Sequence, residues 1–155
     1  FRITTMLLYA ANVVDAAFFD EEVWMATTEG AARLEGERVT LWSEAEGLPS
    51  ESVRGVAATP GGLVFVATGA GVGQFDGERW AFPKELRFDT HDIEVTADGR
   101  LWLATDRGLA TYDGRAVRRL DQRRGLIDNQ IADVVIDDFG RVWARGAGSL
   151  ILITP

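Results

Sequence analysis

Three observations predict an all-β fold built from four-stranded antiparallel blades. A segment recurs about every forty residues, marked by an aromatic side chain at Trp24, Phe65, Trp102 and Trp143, with intervals of 41, 37 and 41. That period belongs to repeat architectures such as propellers and solenoids. Seventeen glycines without a collagen period call for many tight turns. No stretch sustains the 3.6-residue apolar pattern of a long helix. Four strands in about forty residues, joined by short turns, make one blade of a β-propeller.

The third copy shows the elements in order. Ile93 and Val95 alternate with Asp92, Glu94 and Thr96 as a half-buried strand does. Asp98-Gly99 is a type I′ hairpin signal, and Leu101 to Ala104 form the second strand. Asp106-Arg107-Gly108 turns the chain into a third strand, Leu109 to Tyr112; Asp113-Gly114 turns it again into a fourth, Ala116 to Leu120. The copies divide the chain at 13–52, 53–89, 90–130 and 131–155, with 1–12 expected to end a preceding blade. This makes one partial propeller of three and a half to four blades.

The repeated columns have physical reasons. The marker aromatic can fill the wedge between adjacent blades, because it buries the most apolar area of any residue type. Thr27, Thr68 and Thr105 follow three residues later, a β-branched type suited to strands. Gly30, Gly71 and Gly108 follow six after the marker, where a sharp turn needs positive φ. The fourth copy lacks both columns, with Gly146 and Ser149 in that stretch.

Composition bounds the function. Hydrophobic residues at 46% of 155 exclude a disordered chain. Without cysteine there is neither a disulfide nor a thiolate metal site, which suits the cytoplasm and the periplasm alike. The run Met6 to Val14 is too short to span a bilayer and lacks a basic flank, so no membrane insertion is expected. The chain opens on Phe1 and reads as a segment of something longer or a processed product. Residues 1–99 carry 17 acidic and 7 basic side chains, residues 100–155 carry 7 and 9, and the net charge is −8. Arg115, Arg118, Arg119, Arg123 and Arg124 could hold phosphates, but so acidic a chain is not expected to bind nucleic acid. Lys84 is the only lysine, a bias of composition.

The words between blades are the most distinctive. EGLPSESV (Glu46 to Val53) follows the first copy and RGLIDNQI (Arg124 to Ile131) the third. Together with DGRLWLAT-x-x-GL inside a blade, they resemble the two-component regulator propeller repeat over about residues 13 to 155. The resemblance implies a bacterial sensor domain, periplasmic or otherwise extracytoplasmic, of a hybrid histidine kinase or related signalling protein. The second copy departs from the pattern, with the shortened link FPKELRFDT (Phe82 to Thr90) and Phe65 for tryptophan.

Catalytic signatures are sparse. His91 is the only histidine, so a His-rich metal site is excluded and one imidazole is available as a base. Asp137-Asp138 and His91-Asp92 could be taken for ligands of a hard cation, but Asp138 holds the hairpin position of Pro60 or Ala97 in the other copies and is read as a turn residue, and His91 as an exposed loop residue. Gly69-Ala70-Gly71-Val72-Gly73 lies within strand–turn–strand and opens no helix, unlike a phosphate loop. A streptogramin-lyase-like propeller enzyme is the weaker alternative, because the histidines that such a resemblance implies are not here. No enzyme activity, metal or cofactor is therefore expected. The links and the turns between second and third strands should converge on one face as a recognition surface. Candidate ligand-binding residues there are Glu29, His91, Asp106, Arg107, Arg123, Arg124 and Asn129. The expected function is signal transduction by binding a glycan or other small molecule, with remaining blades of a longer chain or a second copy completing the ring. The competing expectation is an assembly module whose blade flanks bind protein.

Overall fold

A computed structural model describes residues 11–154. The expected end of a preceding blade, residues 1–12, falls almost wholly outside the described residues. Among the described residues fifteen strands form four antiparallel sheets in sequence order. The first blade comprises β1 (Val13–Phe19), β2 (Glu22–Thr27), β3 (Gly30–Glu35) and β4 (Arg38–Trp42). The second comprises β5 (Val53–Ala58), β6 (Val64–Thr68), β7 (Val72–Phe75) and the two-residue β8 (Trp80–Ala81). The third comprises β9 (Asp92–Val95), β10 (Leu101–Thr105), β11 (Gly108–Tyr112) and β12 (Val117–Leu120). The fourth has three strands, β13 (Ile131–Ile136), β14 (Val142–Gly146) and β15 (Leu150–Ile153). The fold is a β-propeller arc, as the period predicts.

Successive blades touch through their first strands, β1 on β5, β5 on β9 and β9 on β13, so these line the inner edge. The marker aromatics occupy equivalent places. Trp24 packs between the first and second blades with Val56, Val66, Phe75 and Trp80. Phe65 packs between the second and third with Ile93, Leu101 and Leu103, and Trp102 lies against the cluster joining third and fourth. Trp143, the last marker, is only half-buried, because no described blade follows it.

The threonine and glycine columns form one device. Thr27, Thr68 and Thr105 donate their hydroxyl to the carbonyl of Gly30, Gly71 and Gly108 at 2.8, 2.7 and 2.7 Å. The same oxygens accept from the N–H of Glu29, Ala70 and Arg107. Threonine is thus more than a strand-forming type here; its hydroxyl closes the turn. The three glycines have φ of 136°, 144° and 97°, the positive values that the turn was expected to need.

The Asp98-Gly99 hairpin corrects the expected type I′ turn. Only Gly99 has positive φ, and its N–H donates to the Thr96 carbonyl at 2.8 Å. This is a type I turn followed by a left-handed glycine, the other common solution for a right-twisted strand pair. The turns at Gly62 and Gly140 are built alike. Asp137 anchors the last of these, accepting from the N–H of Phe139 and Arg141 at 3.0 Å each. Asp138 lies within this turn as expected, and the anchoring side chain is that of its neighbour Asp137.

Candidate functional site

The links between blades contain single 3₁₀ turns, and differences among these turns shape the site. Glu44–Glu46 and Gln122–Arg124 each end on a left-handed glycine, Gly47 at φ 103° and Gly125 at φ 99°. The first is also capped by Ser43 and Glu46, each side chain bonded to the other's backbone or neighbourhood. The second link, Lys84–Leu86, ends on Arg87 at φ −83° without a glycine. It buries Leu86 completely and lays Arg87, Phe88 and Asp89 over the edge of the third blade. The anomaly visible in FPKELRFDT is what brings side chains together.

A chain of polar contacts runs across this junction. Arg54, at the start of the second blade, donates to Asp89 at 2.7 Å and lies 3.2 Å from His91 Nδ1. An arginine can only donate, so Nδ1 accepts and the proton of the neutral ring sits on Nε2. Nε2 then donates to Asp106 at 2.9 Å, on the β10–β11 turn. His91 and Asp106, both candidates from sequence, are direct partners.

Two hollows flank this chain. One, of about 430 Å³, is lined by Arg87, Phe88, Asp89, Asp106, Arg107 and Arg119. The other, of about 570 Å³, is lined by Asp106, Arg107, Asp121, Gln122, Arg123 and Asn129. Four candidates, Asp106, Arg107, Arg123 and Asn129, therefore meet at the second hollow. Asn129 is held by Gln122, whose N–H it accepts at 2.9 Å, and its carbonyl accepts the Gly108 N–H. Arg124 turns back to the Arg119 carbonyl at 2.6 Å and lines neither hollow. Glu29 stands on the exposed β2–β3 turn of the first blade and joins none of these residues. Sequence reasoning missed Arg54, Arg87 and Asp89 as members of the group, and named Arg119 only within a run of arginines that could hold phosphates. The departure of the second link from the repeat was the one signal that could have drawn attention to Arg87 and Asp89.

The inner edge carries a different grouping. Asp15 accepts the Val56 N–H at 2.8 Å, and Asp92 accepts the Val134 N–H at 2.9 Å, so each reaches the next blade. Burial pushes the Asp92 carboxyl up to about 7, and the neighbouring Asp133 adds to this against the opposing Val134 N–H. Burial also raises Glu94, with the charges of Asp15 and Asp133 adding. Among the described residues no group of histidines and carboxylates is arranged to hold a metal, and no helix is long and apolar enough to cross a membrane.

No protein-family model matches the chain, and no curated protein matches it at a significant level. Among solved structures, the extracellular domain of the BT3049 hybrid two-component system from B. thetaiotaomicron is 22% identical, with a TM-score of 0.72 over 93% of this chain and 22% of that one. The extracellular domain of the BT4673 one-component system from the same organism is 15% identical, with a TM-score of 0.58 over 97% of this chain and 28% of that one. Virginiamycin B lyase from Staphylococcus aureus is 10% identical, with a TM-score of 0.67 over 92% of this chain and 55% of that one. The chain spans between a fifth and a third of the length of the two extracellular domains. It shares the β-propeller fold with extracellular domains of two-component systems, the fold that the GLPS and DGRLWLAT words led us to expect.

Proposed function

We propose that the chain is part of a sensory β-propeller of a bacterial signalling protein, extracytoplasmic, which binds a ligand without transforming it. The observation that carries this is the contact chain Asp89–Arg54–His91–Asp106, which joins residues from two blades and their link beside two hollows. Such a group, held on a rigid scaffold, recognises shape and charge. Likeness of fold to extracellular domains of two-component and one-component systems supports the signalling context. The lyase likeness lies in the fold, and the single histidine of this chain is already engaged on both nitrogens. Thermal unfolding in the presence of neutral and acidic mono- and disaccharides tests the reading, because a ligand that binds the folded state alone raises its stability. A concentration-dependent rise in Tm with some member, unaccompanied by any change in that compound, is the expected result. No rise with any member at millimolar concentration sinks it.

A second reading is favoured by one observation, blade flanks that no described residue covers. Phe18 on the first blade is 76% exposed and Leu150 on the fourth is 69% exposed. These flanks fit assembly with further blades, from a second copy or from a longer chain. The two readings are compatible.

A further inference from the structure

Three guanidinium groups converge on the 430 Å³ hollow at the junction of the second and third blades, in a chain whose net charge is −8. Two are held by contacts that leave their charge unmatched. Arg119 lies over the Phe88 ring at 4.3 Å. Arg87 lies over Phe82 at 4.6 Å and donates to that residue's carbonyl at 3.2 Å. Stacking fixes the plane of a guanidinium while its outer N–H donors stay available. The third, Arg107, projects from the turn that Thr105 closes.

The carboxylates of the hollow balance only part of this charge: Asp106, bonded to a neutral imidazole, offsets one guanidinium and leaves a net positive hollow. Asp89 is paired with Arg54 at 2.7 Å, and Asp106 accepts from His91 at 2.9 Å. Among the described residues Arg87, Arg107 and Arg119 have no ion-pair partner. Burial and the nearby Arg107 both lower the proton affinity of Arg119, so the like charges feel each other. Packing alone would be served as well by uncharged side chains on the two phenylalanines. Planar, preoriented forks facing an open hollow are what bidentate recognition of an oxyanion requires.

We propose that this hollow binds the oxyanion group of a small ligand, carboxylate, sulfate or phosphate, through Arg87, Arg107 and Arg119. The inference rests on the binding function proposed above and names the ligand's chemistry. The volume suits a compound of one or two sugar rings or similar size.

Calorimetric titration with glucuronate, glucose, sulfate and inorganic phosphate tests it on the whole chain. Glucuronate and glucose share a ring and differ in the carboxylate. The expected result is binding of at least one anion, weakening with added salt, no binding of glucose, at least a tenfold loss in Arg107→Gln and complete loss in Arg107→Gln/Arg119→Gln. Arg115→Gln, on an exposed turn outside the hollow, should bind like the parent. The anion that binds most tightly identifies the group recognised. Because Arg119 also packs on Phe88, Arg119→Lys is measured alongside. It keeps stem and charge but loses the fork, and should fold, as circular dichroism reports, yet bind more weakly. Undiminished anion binding in the double variant overturns the proposal, as does glucose binding as tightly as glucuronate, which would leave the sensory reading standing. Silence from all four probes overturns it too, and the saccharide unfolding series then decides the sensory reading separately.

Discussion

Individual residues in this fold are fixed by backbone geometry and by proton equilibria at the inner edge. Gly108 has φ of 97°, and a Cβ there would be driven into the Leu120 carbonyl. Gly108→Ala is therefore expected to cost roughly 3 kcal/mol, combining left-handed strain with the clash. Gly114→Ala, at φ 88° with nothing within 4 Å, should cost less, since it carries the strain alone. Urea unfolding of the two variants checks the order. Asp92 gives a pH prediction. A carboxyl raised to about 7 when folded binds protons more tightly than the unfolded chain does. Its contribution is fully present below the unfolded value near 4 and is lost as pH rises through about 7. Asp76, Asp98 and Asp113, held low by turn hydrogen bonds, act in the opposite sense only below the ordinary carboxylate range. Between these limits stability should fall as pH rises. Asp92→Asn keeps a carbonyl acceptor for Val134 and should flatten most of that slope; Tm measured from pH 5 to pH 8 tests this.

Blades interact through two devices, the marker aromatic and the inner carboxylate. Trp24 is 1% exposed, stacks on Trp42 at 5.2 Å and meets Phe75 at 5.2 Å from the next blade. Arg33 lies over both tryptophans at 5.6 Å and pairs with Glu22 at 3.2 Å. Trp143 holds the same column half-buried, its indole N–H bonded to Asp137 at 2.9 Å and Arg141 above its ring. Trp24→Ala should then cost about 4 kcal/mol and Trp143→Ala about 1 kcal/mol or less, measured by denaturant unfolding. Equal losses would mean that the fourth flank is covered in solution. Between the second and third blades the carboxylate is replaced by Gly55, where a Cβ would meet the Asp92 carboxylate at 2.8 Å. Asp133, at the corresponding place on the fourth blade, turns to Arg145 at 3.4 Å.

At the scale of the whole molecule, the arc of four blades presents two unlike flanks. The first blade offers Phe18, Val39 and Leu41, and the fourth offers Val135, Leu150 and Leu152 beside Trp143. In the interior of the arc, each marker face is received by the apolar first face of the next blade. Repetition of that rule makes the two flanks complementary head to tail. Two such arcs would give eight blades, within the usual range for a closed ring. Light scattering over a dilution series is expected to give a mass near twice 17.0 kDa if two copies close on each other. A monomer at every concentration assigns the flanks to other blades.

The sequence alone determined the blade, because its period, its turn glycines and its alternation express contacts between residues close along the chain. Gly30, Gly71 and Gly108 could be placed at turns from spacing, and Trp24 and Phe65 could be placed in wedges from size. The hydroxyl bonds of Thr27, Thr68 and Thr105 were not legible, since threonine suits a strand for other reasons as well. Of the residues grouped here, His91, Asp106, Arg107, Arg123 and Asn129 could be named from the sequence because they sit where a propeller gathers its loops. Arg54, Asp89, Arg87 and Arg119 were decided only by tertiary structure. Arg54 and Asp89 are 35 residues apart in sequence, and no local pattern encodes their 2.7 Å approach. The stacking of one blade on the next, with a link lacking its glycine cap, sets that distance.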